Sequence, residues 1–416
     1  MYVKIHRASG QIGGNLIEIG TAQTRLLFDA GTNLPALDDV REEDNIEIEG
    51  LTYGKPSFDY VFISHHHNDH CGLLKKILPS IPVFAGEETI RILNVISDFT
   101  NQPRPEIQFG LRDGVTIRLD DMRVTPLAVT HSAQDAYMFL IQGDEQSILY
   151  TGDFRTAEGV HEKVSELTGG KPIDVMISEG TNILCNTSQN IRQPDEKWVT
   201  QRVSEIMKQN DSTVFVLCSS TNEGRIQAVC EAARQNGRLV CEDLFMTLVR
   251  GKKEEGMQSF IANGISKDKP RIYSYFSKLY SKGKLATAES LAKSPQKKVI
   301  FVRTTMKSFI NKYLRHSAED SSVLIYSEWN GYKKCGYMKD FLHFCEQRGI
   351  SVTDCHVSGH AYRETIEKLI DVLKPKVLLP VHCDKADRAE FLTLHNNCLM
   401  SEDGVRYDIK GENYEL

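Results

Sequence analysis

Residues 62–72 read Phe-Ile-Ser-His-His-His-Asn-Asp-His-Cys-Gly, which places His65, His67, Asp69 and His70 within six positions. Neutral imidazole and carboxylate are the donors that zinc-type divalent cations take. On an extended backbone, donors at i and i+2 point to one side, whereas the adjacent Asp69 and His70 diverge. The run can therefore feed two ions rather than one. Its alternatives are a polar surface loop or a tag-like histidine tract. Its setting argues against both, because the apolar run 60–63 before it reads as a buried strand. Residues 72–78 after it read as the start of a helix with Leu73, Leu74, Ile77 and Leu78 on its apolar face.

Further donors recur at the ends of other apolar runs. Asp29 closes 24–29, His131 follows 122–130, Asp153 follows a hairpin formed by 136–141 and 147–150, and Glu179 follows 173–177. His382 follows the late run 377–381. Loops leaving the ends of strands are where a rigid sheet presents chemistry. The donors divide into His65, His67 and His131 for one ion and Asp69, His70 and His382 for the other, with Asp153 bridging. Two divalent ions about 3.5–4 Å apart bring the pKa of a shared water toward neutrality and clamp the oxygens of an electrophile. Asp29 and Glu179 exceed the ligands required, so they read as carboxylates orienting imidazoles. A strand-end cap is the alternative for Asp29.

A chain of 416 residues suits two domains, or one domain with a large insertion. Helices are expected at 87–99, 337–347, 364–373 and 387–394, with strands at 115–119, 298–302, 322–326 and 352–357 and one more in the tail. From about residue 190 the pattern becomes helix 194–209, strand 213–217, helix 223–235, strand 238–241. This alternation marks a parallel, doubly wound unit. Within it, Cys218-Ser-Ser-Thr-Asn-Glu-Gly-Arg225 places hydroxyls and amides at a helix start. Such a segment can cradle a phosphate or simply cap the helix.

Composition is that of a globular chain, with 40% hydrophobic and 25% charged residues. No stretch approaches the roughly 20 apolar residues of a membrane span, so no membrane partner is expected. The chain opens directly as a strand, and the expectation is a cytoplasmic protein without a signal peptide. Its ten cysteines are scattered without a Cys-x-x-Cys pair and read as buried free thiols. Cys71 and Cys383 sit beside donors, with packing the favoured role. Residues 250–315 hold sixteen Lys and Arg against four acids, a net +12 that leaves −18 for the remainder of a chain at −6. A localised basic face for a polyanion, or a solvated lysine-rich surface, would each account for this.

The run His65-His-His67-Asn-Asp69-His70, taken with His131, Asp153 and His382, resembles the metallo-β-lactamase superfamily. Ser178-Glu179-Gly-Thr-Asn182, Ser358-Gly359-His360-Ala361 and Pro380-Val381-His382 are similar to the β-CASP nucleases, most of all the ribonuclease J branch. The resemblance covers nearly the whole chain apart from 250–320. It implies an α/β architecture, a four-layer αββα metallo-β-lactamase fold with an inserted doubly wound β-CASP domain. The expected division is 1–194 for the first part, 195–350 for the insert and 351–416 for the return segment.

The function implied is hydrolysis of phosphodiester bonds in single-stranded RNA, or DNA, by a hydroxide activated by two metal ions, zinc first and manganese as the alternative, leaving 5′-phosphate products. In that reading His360 contacts the scissile phosphate and acts as general acid, supported by Glu179, beside Asp69 and Asp153. Ser132, Ser219, Ser220, Arg225, Ser358 and Gly359 would contact the substrate backbone.

Two departures qualify the match. Tyr326-Ser-Glu-Trp-Asn-Gly-Tyr-Lys-Lys334 stands where the branch carries a Gly-Glu-Pro-type loop that helps to read a 5′-monophosphate. The chain also ends 34 residues after His382, so oligomerisation through the branch's C-terminal domain is not expected, while other contacts between copies stay open. The competing readings are a hydrolase of a small ester or phosphodiester metabolite, and a non-catalytic nucleic-acid-binding subunit. The 229 positions between Asp153 and His382 exceed what a small ester requires, and the filled donor positions argue against the subunit.

Overall fold

The structure is a computed structural model that describes residues 1–34, 46–185, 194–251, 256–262, 264–265, 267–317 and 321–409. Three sheets organise it. The first runs in the order Arg406–Asp408, Tyr2–Arg7, Leu16–Gly20, Arg25–Phe28, Tyr60–Phe62, Val83–Gly86, Phe109–Leu111. Its first four strands are antiparallel and the rest parallel. The second runs Val377–Val381, Val175–Glu179, Gln146–Tyr150, Ala136–Gly143, Met122–Val129, Ile117–Arg118.

Alternating side chains of these strands separate two environments. Leu26, Phe28, Phe62, Phe139, Ile148, Tyr150 and Ile177 meet in one core between the two sheets. Phe62 stacks on Phe84 at 4.8 Å and on Phe28 at 5.3 Å. Burying each such ring contributes about 1.5–3 kcal/mol. The opposite faces carry Leu27, Val61 and Ile63, with Ile90 and Leu93 of helix Glu87–Thr100. On the other sheet they carry Met138, Leu149 and Met176, covered by helices Val160–Thr168 and Arg363–Leu373. The layers are therefore αββα.

The third sheet is wholly parallel, in the order Met257–Phe260, Leu239–Asp243, Lys298–Val302, Val214–Leu217, Ser322–Tyr326, Ile350–Asp354. Val214 and Val216 pack under helices Glu196–Gln209 and Glu223–Gln235. Phe215 and Leu217 pack under Lys307–His316 and Gly336–Gln347. This is a three-layer, doubly wound insert between Glu179 and the returning strand Val377–Val381, which pairs directly with Val175–Glu179. The strand Ile350–Asp354 closes the insert's sheet, a few residues beyond the expected boundary at 350.

Several local expectations change. No helix covers 72–78; one turn, Asn68–Cys71, lies inside the donor run and a 3₁₀ turn spans Leu74–Lys76. The cause is tertiary: Asp69 O accepts from Asn15 N, His70 O from Ala30 N, and Leu73 N donates to Ala30 O, so long-range bonds replace helical ones. Gly31 permits this approach, since a Cβ there would lie 1.7 Å from Asp69 O. The strand at 115–119 shortens to Ile117–Arg118, and 387–394 becomes a 3₁₀ segment, Arg388–Thr393.

The basic stretch is more regular than its sequence reads, with helices Pro270–Ser281, Ala288–Lys293 and Lys307–His316. Arg250, Arg271, Lys293, Lys297 and Arg303 are engaged in ion pairs, so part of its charge is structural. The cysteines are free: eight are buried, Cys398 is partly so, and Cys185 is exposed. Cys71 and Cys383 both belong to apolar cores. Among the described residues, no helix is long and apolar enough to cross a membrane.

Candidate metal centre

Strand ends bring the donors together. His65 to His70 follow Tyr60–Phe62, His131 follows Met122–Val129, Asp153 follows Gln146–Tyr150, and His382 follows Val377–Val381. One set joins His65, His67 and His131, and another joins Asp69, His70, Asp153 and His382. A third joins Asp153, Glu179, His360 and His382. Within each set the donor atoms lie within 4.8 Å of one another. Asp153 Oδ2 is the common point, 3.0 Å from His70 Nε2, 3.7 Å from His382 Nε2, 3.8 Å from His131 Nε2 and 3.9 Å from His65 Nε2. Asp69 Oδ2 lies 3.3 Å from His382 Nε2.

The far sides of four of the five rings are anchored. His70 Nδ1 donates to Asp29 Oδ2 at 2.7 Å, and His131 Nδ1 donates to Gly359 O at 2.8 Å. His65 Nδ1 lies 3.0 Å from Ser64 Oγ, and His382 Nδ1 lies 2.9 Å from Thr181 Oγ1. These bonds fix ring orientation and turn Nε2 inward, the arrangement that supports imidazole ligands. Asp29 is itself held by Tyr150 Oη at 2.7 Å, Ser64 N at 2.7 Å and Ser64 Oγ at 2.9 Å.

The inward atoms test the fit to a metal. His65 Nε2, His70 Nε2 and Asp153 Oδ1 are buried without a hydrogen-bond partner among the described residues. Such groups are costly unless something electropositive meets them. Burial lowers the pKa of His65 and His131, and takes that of His67 down to about 4, so these rings are neutral donors at neutral pH. Asp69 and Asp153 are lowered despite burial, because His70 and His382 surround them. The donor set is consistent with a binuclear metal site.

Beside it, His360 Nδ1 pairs with Glu179 Oε2 at 2.8 Å and lies 3.7 Å from Asp153 Oδ2. Glu179 Oε1 also accepts from Phe154 N at 2.9 Å, which locks the carboxylate. Burial opposes charge on His360, but Glu179 and Asp153 outweigh it and push its pKa up to about 9.

Residues 24–182 match the beta-lactamase superfamily domain. That segment is a metallo-β-lactamase superfamily domain. Ribonuclease J of Sinorhizobium meliloti is 25% identical over 378 residues, 86% of this chain and 62% of that protein. Ribonuclease J 2 of Streptococcus pyogenes serotype M3 is 24% identical over 403 residues, 91% of this chain and 69% of that protein. The chain thus spans about six- to seven-tenths of the length of these distant relatives. A crystal structure of a protein of unknown function from Enterococcus faecalis V583 shares the fold, with a TM-score of 0.74 at 21% identity over 97% of this chain and 99% of that one.

Around this centre the remaining expected contacts divide. Ser358 Oγ accepts from Asn182 Nδ2 at 2.9 Å and from His360 N at 3.1 Å, and Ser358 O accepts from Arg155 Nε at 2.9 Å. Gly359 packs against Ser132, where a Cβ would lie 2.5 Å from Ser132 Oγ. Ser132 Oγ is 3.4 Å from His131 Nε2. These residues therefore join the loops of His131 and His360.

Ser219 Oγ is bonded locally to Thr221 Oγ1 at 2.9 Å, while Ser220 Oγ is buried without a partner among the described residues. Arg225 departs from expectation. It is fully buried, and its guanidinium bonds Glu196, Ser327 and Val357 O rather than facing a substrate. The long side chain that reads as a phosphate contact is an internal brace. Asn222 caps the helix, accepting from Arg225 N, which is the capping alternative for this segment.

Sequence reasoning missed Ser64, Tyr150, Thr181, Asn182, Arg155 and Glu196. Thr181 and Asn182 lie within the motif that drew notice to Glu179. Tyr150 gives no signal beyond its position at a strand end.

Proposed function

We propose that the chain is a metal-dependent nuclease that hydrolyses phosphodiester bonds in single-stranded nucleic acid, RNA in preference to DNA, leaving 5′-phosphate products. The observation carrying this reading is the convergence on Asp153 of the inward imidazoles and of His360, which Glu179 holds. The names of the distant relatives and the large parallel insert lend it support. Held by His65, His67, Asp69, His70, His131, Asp153 and His382, two divalent ions, zinc first and manganese as the alternative, would supply Lewis acidity toward a phosphoryl group and a lowered pKa for water.

The chain's own residues supply the rest. Asp69 and Asp153 balance cationic charge. Glu179 keeps a proton on His360 Nδ1, so Nε2 is the atom turned toward substrate. As a water oxygen bonds to phosphorus and gives up a proton to solvent, the bond from phosphorus to the leaving 3′ oxygen breaks and the proton on His360 Nε2 passes to that oxygen, general acid catalysis by a positioned imidazolium. Afterwards Nδ1–H still faces Glu179.

The test incubates the protein with zinc or manganese and end-labelled single-stranded RNA and DNA, bearing 5′-phosphate or 5′-hydroxyl ends, beside a lactone and a small phosphodiester. Metal-dependent cleavage of RNA with 5′-phosphate products is expected. Turnover of the small esters without cleavage of any nucleic acid would sink the proposal.

A further inference from the structure

The insert's sheet changes direction at Val214–Leu217. From Val214–Leu217 the chain moves to one flank, through Leu239–Asp243, and later returns to lay Ser322–Tyr326 on the other. Crevices outside the carboxyl ends of strands at such a point are where doubly wound sheets bind ligands. Arg225 ties this edge to the catalytic loop, bonding Ser327 Oγ at 2.5 Å and Val357 O at 3.0 Å, three residues before His360.

The loop that follows, residues 327–334, is built around an exposed indole. Trp329 is 50% exposed. Its ring lies across Gly331, where a Cβ would come within 2.1 Å of Cζ3. Its carbonyl accepts from Tyr326 Oη at 2.9 Å and from Tyr332 N at 3.0 Å, and the Tyr332 ring meets it edge-on at 5.4 Å. A large aromatic held this firmly, with a face left to solvent, is a stacking surface rather than a loose side chain.

Polar groups accompany it. Glu328 is half-buried and makes no hydrogen bond or ion pair among the described residues. On the neighbouring strand end, Ser220 Oγ is buried and unpartnered among the described residues. Burial pushes Glu328 up to about 7 against the pull of Arg225. An acid in this position suits hydroxyl and amino donors and disfavours a phosphate.

We infer that the 327–334 loop is a nucleobase subsite, in which one unpaired base stacks on Trp329, buttressed by Tyr332, while Glu328 and Ser220 receive the base edge or ribose hydroxyls. It rests on the nuclease reading for the identity of the substrate as a single strand.

Trp198 and Trp329 are the two tryptophans of the chain, which makes the subsite directly observable. In the full-length Trp198→Phe protein, Trp329 fluorescence is titrated with a phosphorothioate single strand and with an abasic strand of equal length. Strong quenching by the base-bearing strand and little by the abasic one is expected; equal quenching overturns the inference. In parallel, Trp329→Ala should cut the KM preference for base-bearing over abasic strands by about 5- to 150-fold, with Trp329→Phe keeping most of it. Cleavage with an unchanged preference overturns the subsite and leaves the nuclease reading intact. Base-selective quenching without cleavage overturns the nuclease reading and leaves the subsite.

Discussion

Asp29 has a left-handed backbone, with φ of 62°, and its carboxylate sits between His70, Tyr150 and Ser64. Asparagine tolerates that conformation and keeps the shape but cannot accept in the same way. Asp29→Asn should therefore weaken metal binding by about 10–100-fold, measured by competition with a chromogenic chelator. An unchanged affinity would make Asp29 a strand-end cap only. His360→Ala should behave oppositely, nearly abolishing cleavage while metal content stays at two ions per chain by elemental analysis. Loss of an ion would reassign His360 as a ligand.

At the scale of elements, Glu18 joins three neighbours on the first sheet. Its carboxylate accepts from Tyr2 Oη at 2.7 Å and Arg25 Nε at 2.7 Å, and lies 2.6 Å from His6 Nε2. Burial opposes its ionisation, yet bonds from His6, Arg25 and Tyr2 bring its pKa down from 4.5 to about 2. A carboxylate depressed in the folded state contributes stability that is complete above the unfolded pKa and disappears as pH falls through the folded one. Denaturant unfolding of the natural chain should thus lose this component between about pH 4.5 and about 2. Glu18→Gln should lack it and be weaker by about 3 kcal/mol at pH 7. Parallel stability profiles for the two proteins across that window would refute the assignment.

Across the whole molecule, Arg155, Glu196 and Arg225 connect the two units. Glu196 receives Arg155 at 3.1 Å and Arg225 at 2.9 Å, while Arg155 also holds Ser358 O and Arg225 holds Ser327 and Val357. Removing one partner of a buried pair leaves the others uncompensated, at a cost of about 3–5 kcal/mol. Arg225→Met should lower stability by that order in chemical denaturation. It should also reduce kcat on oligonucleotides more than tenfold without changing metal content, because the His360 loop loses its brace. Arg225→Lys should rescue little, since an ammonium cannot span three partners as the planar fork does. Full activity in both variants would show that the brace serves folding alone.

The donor run at residues 65–70, the apolar run 24–29 closed by Asp29, and the strand-helix-strand rhythm after residue 190 were legible in the sequence. In each case the information is local: residue type and period dictate which side chains share a face. The recurrence of donors at the ends of apolar runs marked His131, Asp153 and His382, whereas the four-layer αββα architecture was implied by the resemblance to the metallo-β-lactamase superfamily. What tertiary structure decided lies in contacts between distant segments. Asn15 and Ala30 replaced the expected helix at 72–78 with bonds to Asp69 and His70. Arg225, whose charge and place at a helix start suit a phosphate, was drawn inside by Glu196, Ser327 and Val357. Thr181 and Tyr150 gained their roles only when His382 and Asp29 came to rest beside them. A side chain's type limits the partners it can take, but only the folded chain decides which of them arrives within 3 Å.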